Sequence, residues 1–125
     1  VVPLAEYARR PYDRDILVGV LVPKENARFV YQSVRNSQTD FPVLTCAAAK
    51  LADGSIRAAI GARPGKAVLY TAAPEAGETA EEFAARFAAE VKAGIKTESN
   101  LRGSAEYRRH LAGVLTKRAV CRLEG

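Results

Sequence analysis

Residues 43–62 read VLTCAAAKLADGSIRAAIGA, and the fold class turns on this stretch. Two apolar runs, Val43 to Ala52 and Ser55 to Ala62, flank the dipeptide Asp53-Gly54. Asp-Gly accepts the positive φ that a tight hairpin turn demands, so the chain reverses here and two antiparallel strands meet. Downstream, Arg63-Pro64-Gly65 marks a further turn, after which Lys66 to Thr71 forms either a short edge strand or an extended segment. Upstream, the polar stretch Asn36 to Pro42 closes on Asp40-Phe41-Pro42, where the proline fixes an extended entry into the first of the two runs. Before it, Ala27 to Arg35 alternates, with Phe29, Tyr31 and Ser33 on one face and Val30, Gln32 and Val34 on the other. That period predicts another strand.

Asp15 to Val22 contains the nearly continuous β-branched run Ile-Leu-Val-Gly-Val-Leu-Val, stopped by Pro23. Its composition predicts a buried strand, joined by the polar Lys24-Glu25-Asn26 connection into a hairpin with the strand after it. Residues 1–14, with Pro3, Pro11, Arg9 and Arg10 among isolated apolar side chains, suit an arm or linker from a preceding domain, leaving residues 15–125 as a single domain.

The pattern changes beyond the loop Ala72 to Gly77. Thr79 with Glu82 three residues on is a capping box, and Phe83, Phe87 and Val91 follow at helical spacing, with Gly94 placed for a positive-φ C-terminus. Ser104 is the expected N-cap of a second helix, with Glu106 in its first turn, Tyr107, Leu111, Val114 and Leu115 along one stripe, and Lys117 and Arg118 near its end. Strands followed by helices make an α+β domain: an antiparallel sheet of three to four strands with helices packed on one face.

At 125 residues one core is expected, and although 48% of the chain is hydrophobic much of that is Ala, so the core is thin and close-packed. No run approaches the length of a membrane span, and residues 1–12 lack the apolar centre of a secretory signal. A cytoplasmic location is expected. Cys46 and Cys121 have no CxxC spacing and are read as two reduced, buried thiols. The chain begins with Val and contains no Met, which favours a fragment of a longer protein. A net charge of +5 is a mild bias, with 14 acidic residues interspersed among 19 basic ones, and is no nucleic-acid signature.

Catalytic constellations are missing from the sequence. The single histidine, His110, falls beside Arg108 and Arg109 on the polar side of the second helix, and Glu81 and Glu82 are explained by the first turn of the other helix. Gly61-Ala62-Arg63-Pro64-Gly65 lacks the spacings of a phosphate loop. The densest basic cluster, Arg102, Arg108, Arg109, Lys117, Arg118 and Arg122, reads as a solvated helix face or as a docking surface for a partner protein. No complete active site is expected in this chain by itself.

Three motifs carry a family resemblance. Residues 100–115, NLRGSAEYRRHLAGVL, resemble the closing motif of the FAD-binding subunit of the molybdenum hydroxylases, the xanthine dehydrogenase, aldehyde oxidase and carbon monoxide dehydrogenase group. Residues 16–23, ILVGVLVP, resemble that family's apolar strand ending in proline, and Arg35 with residues 39–44, TDFPVL, resembles its Arg-to-Asp segment. The motifs arrive in the family's order and span nearly the whole chain. The resemblance implies the subunit's C-terminal domain, with most of the FAD gripped by an N-terminal domain that nothing here matches. It implies two cofactor contacts, at Leu17 and at the position of Tyr31, where the family carries a Lys. A phenol keeps a hydrogen bond but brings no positive charge. It also implies as partners an iron–sulfur subunit, with 2Fe-2S clusters, and a molybdenum cofactor subunit holding molybdopterin. An isolated domain of this kind is not catalytic, and the other reading is a stand-alone interaction module that keeps the fold without flavin.

Overall fold

The computed structural model describes residues 1–11, 14–24 and 27–125. Tyr12 and Asp13 of the expected arm, and Glu25 and Asn26 of the expected polar connection, lie outside the described residues. A short helix α1 (Leu4–Tyr7) is followed by four strands, β1 (Arg28–Val34), β2 (Leu44–Lys50), β3 (Ile56–Gly61) and β4 (Val68–Ala72), and two helices, α2 (Ala80–Gly94) and α3 (Ala105–Glu124). The strands form one antiparallel meander in the order β1-β2-β3-β4. Asp53-Gly54 makes the expected reversal: Gly54 has φ +83°, and the Asp53 carboxylate accepts from both the backbone N–H and the hydroxyl of Ser55.

Leu44, Cys46, Ala48, Ile56, Ala58 and Ile60 point to one face, where Phe83, Phe87 and Val91 of α2 and Leu111, Leu115, Val120 and Leu123 of α3 cover them. The helices begin where their caps require. Thr79 and Glu82 form the full capping box, and the Ser104 hydroxyl accepts from the backbone N–H of Tyr107. Lys50 of β2 pairs with Glu124 at 2.7 Å, tying the far end of α3 to the sheet. Burial pushes the Cys46 thiol up to about 11, an effect partly offset by the Thr116 hydroxyl, so this buried sulfur is an inert core atom.

Four expectations are corrected. Residues 14–24 form no strand, and Ile16, Leu17, Val18, Val20, Leu21 and Val22 are exposed. Apolar composition alone does not make a strand; the outer edge of β1 stays open, and none of these residues pairs with it. Gly94 lies inside α2 without positive φ, and its bareness serves contact instead: a Cβ there would stand 3.3 Å from the Tyr70 ring. Cys121 is exposed, because at that point of α3 the inward positions are Val120 and Leu123.

The fourth correction concerns the inward stripe of α3, which runs through Arg108, Leu111, Ala112, Leu115, Ala119 and Leu123, with Tyr107 turned out to solvent. Arg108 is only 1% exposed. Its Nε donates to the Val43 carbonyl at 2.9 Å, its Nη1 to the carbonyls of Glu98 and Gly103, and its Nη2 to Asn100 Oδ1 at 2.6 Å. Burial, with Arg102 nearby, lowers its pKa from the ordinary guanidinium value, yet Arg stays charged under any folding condition. Arg108 therefore leaves the basic docking cluster and becomes a structural fork.

Two predictions follow from these contacts. Arg108→Met leaves several acceptors without a donor, each worth about 1–3 kcal/mol when buried, so the urea midpoint should fall steeply. Arg108→Lys should recover less than half of the loss, since an ammonium cannot span the fork. A wild-type midpoint in Arg108→Met would contradict the assignment. Glu78 accepts from Arg86 and from the Glu75 N–H, which hold its carboxyl down to about 2. A carboxyl depressed in the folded state adds stability above its unfolded pKa, near the ordinary Glu value, and loses it as pH falls toward 2. Thermal melts across that window should show a shallower acid decline for Glu78→Gln than for the parent chain.

Candidate functional site

The two faces of the sheet differ. One is closed by α2 and α3; the other carries Phe29, Tyr31 and Ser33 of β1, Thr45, Ala47 and Ala49 of β2, Arg57, Ala59 and Gly61 of β3, and Leu69 and Thr71 of β4. Pairing aligns Tyr31 with Ala47, Ala47 with Ala59, and Ala59 with Leu69. The result is a shelf floored by small side chains and bounded by large apolar ones at its two edge strands. Phe29 is 71% exposed and Tyr31 61%. No described helix covers this face, and such an apolar surface on an ordered sheet is the mark of a partner surface or ligand wall. At Gly61 even a methyl group would stand 2.6 Å from the Thr45 hydroxyl, so the shelf is kept low there by necessity.

Tyr31 stands at the centre of edge strand β1, where the alternation of Ala27 to Arg35 places it. Leu17 is 65% exposed in the unpaired stretch before β1. Both side chains are therefore accessible. An accessible phenol beside a flat apolar floor suits the edge of a planar heteroaromatic ring, and an exposed leucine suits its face. A pyrophosphate is another matter: the cradle of glycine N–H groups at a helix start has no counterpart in the Gly61–Gly65 turn, whose Arg63 is committed to the carbonyls of Lys66 and Lys96. Among the described residues the open face offers an apolar wall and an accessible hydroxyl, and the Gly61–Gly65 turn offers no phosphate cradle.

At the top of the sheet, two loops are fastened together. Asp40 accepts from Arg102 Nε at 2.9 Å and from the Phe41 N–H, which hold its carboxyl below the usual range. Arg35 donates to the Asp40 carbonyl, Asn36 to the Arg102 carbonyl, and the Arg102 guanidinium lies over the Phe41 ring at 5.2 Å. Arg102 is thus another member of the basic cluster that serves internal contacts. Sequence reasoning missed the role of Arg108, although one signal was present: an arginine at the helical spacing of Leu111, Leu115 and Ala119, directly after a turn whose carbonyls need donors.

His110 is exposed on α3, and among the described residues no three His, Cys, Asp or Glu side chains gather as metal ligands. No helix of the described residues is long and apolar enough to cross a membrane.

Comparison with known proteins agrees with this architecture. Similar folds occur in quinoline 2-oxidoreductase from Pseudomonas putida 86 (TM-score 0.66, 20% identity, 82% of this chain and 39% of that chain). They occur also in carbon monoxide dehydrogenase from Hydrogenophaga pseudoflava lacking the Mo-pyranopterin moiety of its cofactor (TM-score 0.64, 23% identity, 83% and 39%). A third is the cyanide-inactivated form of the Cu,Mo-CO dehydrogenase (TM-score 0.64, 20% identity, 82% and 38%). The chain spans less than two-fifths of the length of each of these. No curated relative matches. The CO dehydrogenase flavoprotein C-terminal domain family matches residues 29–123, which take in the sheet and both long helices except for Arg28 at the start of β1 and Glu124 at the end of α3, and the chain belongs to that family.

Proposed function

We propose that this chain is the C-terminal domain of the FAD-binding subunit of a molybdenum hydroxylase-type oxidoreductase, and that the helix-free face of its sheet covers part of the flavin pocket. The observation that carries the reading is an ordered, apolar, uncovered shelf with an accessible Tyr31, in a chain matched over residues 29–123 to a flavoprotein domain family. FAD, when bound, would relay electrons from iron–sulfur clusters to NAD or another acceptor. The residues of this chain position and shield it. Leu17 packs on the ring, Tyr31 offers its hydroxyl to a polar edge, and Ala47 and Ala59 let the ring approach the sheet closely. With Tyr31 in place of the family's Lys, no fixed cation stands there to favour the anionic reduced flavin, so the hydroxyl acts only as a hydrogen-bond partner.

The domain division follows from the same reading: residues 1–14 connect to a preceding FAD domain, and residues 15–125 form the C-terminal unit. One detail supports a connecting role. Lys66, in the β3–β4 turn, donates to the carbonyls of Ala8 and Arg10, pinning the end of α1 beside the top of the sheet. The iron–sulfur and molybdenum cofactor subunits of the same complex are the proposed partners, and the cytoplasm the proposed compartment. A stand-alone interaction module of the same fold is the second reading; an uncovered apolar face would serve it equally.

In the intact subunit, Leu17→Asp should lower FAD occupancy, read as the flavin-to-protein absorbance ratio of the folded variant. Tyr31→Phe should retain occupancy while shifting the flavin's reduction potential, because only the hydroxyl is removed. The 125-residue chain by itself should fail to bind FAD at submicromolar concentration in a fluorescence titration. Tight binding by the isolated chain would contradict the divided pocket, and an intact subunit that never carries flavin would favour the interaction module.

A further inference from the structure

We infer that the outward face of α3 is a docking surface for an acidic protein surface. This deepens the proposed function, on which it rests, by naming the face that a partner subunit meets.

Several cations of this chain are taken up by its own acceptors. Arg86 pairs with Glu78 and Glu90, Arg102 with Asp40, and Lys50 with Glu124. Arg63 and Arg108 are consumed by backbone carbonyls. Arg109, Arg118 and Arg122 of α3, like Arg28, Arg57 and Lys96 elsewhere, have neither an ion pair nor a hydrogen-bond acceptor among the described residues, and Arg118 and Arg122 do so side by side. Lys117 meets Glu81 only at 3.8 Å with both side chains well exposed, a geometry worth little in water. Arg118 and Arg122, four residues apart, stand one turn apart on the same side of the helix and form a cationic stripe with Lys117 beside it.

The stripe is not a smooth solvated surface. Toward the C-terminus of α3 a depression of about 330 Å³ is lined by Val114, Lys117, Arg118, Cys121 and Arg122. Val114 and Cys121 are seven residues apart, on one line of the helix, so they form an apolar floor with cationic heads along its sides. A second depression, of about 510 Å³, lies toward the helix start between Lys92, Ser104, Glu106, Tyr107, Arg109 and His110. Gly113 is buried against α2, and its missing side chain allows α2 to come within 3.4 Å of where a Cβ would be, which brings Lys92 to the edge of this second depression.

An apolar floor rimmed by unpaired guanidinium groups selects its occupant. A purely apolar surface seated there would bury those charges without compensation, which is costly, whereas carboxylates flanking an apolar side chain satisfy both features. A second copy of this chain would bring its own net +5 charge against the stripe. Nucleic acid is disfavoured by Glu81 and Glu106 on the same face and by Tyr107 as its only aromatic platform.

Cys121 supplies the measurement, because it is exposed in this floor whereas Cys46 is buried. The flavin-carrying subunit, alone and assembled with the iron–sulfur and molybdenum cofactor subunits, is alkylated with N-ethylmaleimide, and Cys121 is followed by peptide mass spectrometry. Alkylation should be rapid in the lone subunit and at least about tenfold slower in the complex. The double variant Arg118→Glu/Arg122→Glu should weaken assembly about tenfold or more at low salt, with an unchanged flavin-to-protein ratio. Equal Cys121 reactivity in both states, or undiminished assembly of the variant, would overturn the inference. Protection already present in the lone subunit would also overturn it, since the subunit's own chain would then cover the face. Protection by added RNA or DNA in place of a protein partner would replace it with nucleic-acid binding. A subunit that carries no flavin and assembles with neither partner overturns the proposed function itself, and this inference with it.

Discussion

One buried guanidinium sets the geometry of this domain. Arg108 gathers the carbonyl at the entrance to β2, the carbonyls on either side of the Asn100–Gly103 turn, and the Asn100 side chain. A charge is tolerated inside a small core only when its donors are filled, and a planar fork fills them in fixed directions. The start of β2, the end of the α2–α3 connection and the first turn of α3 are thereby held at fixed distances. The turn itself closes with reciprocal backbone bonds between Asn100 and Gly103, and a Cβ on Gly103 would stand 3.1 Å from Val43. The fork and the glycine solve one problem together: a loop must approach the sheet closely enough for its carbonyls to be reached.

Around this point the core is built from little material. β2 and β3 contribute Ala48 and Ala58 beside Cys46, Ile56 and Ile60, so much of the volume comes from the helices, above all Phe83 and Phe87, whose rings lie parallel with centroids 6.0 Å apart. Small strand residues on the closed face let α3 settle onto β2; small residues on the open face let something else approach from the other side. Composition thus serves both faces at once, stability on one and access on the other.

How much of this was legible depended on whether the signal was local. The Asp53-Gly54 reversal, the Thr79–Glu82 capping box and the Ser104 cap are each written in a few adjacent residues, and each formed as read. The alternation of β1 likewise placed Tyr31 on the open face. Where a partner decides the outcome, local reading fails. Residues 16–22 have strand composition yet leave the open edge of β1 unpaired, Gly94 answers to a ring 24 residues upstream, and Arg108 is drawn inward by acceptors from β2 and a loop. The motif spanning residues 100–115 pointed to the family without disclosing that its second arginine is a core residue while its neighbour Arg109 is a surface one.

The uncovered Ile16–Val22 segment has a consequence for the life of the polypeptide. Seven residues without a charge or a proline, rich in β-branched side chains, are the composition that stacks into cross-β assemblies. The free edges of β1 and β4 offer the unpaired backbone groups that such a segment seeks. Concentrating these molecules sets the segment of one against the edge of the next, an arrangement that favours edge-to-edge association. In the cell the same segment leaves the ribosome before the sheet that follows it exists, so it meets other chains before the edges of its own sheet have formed.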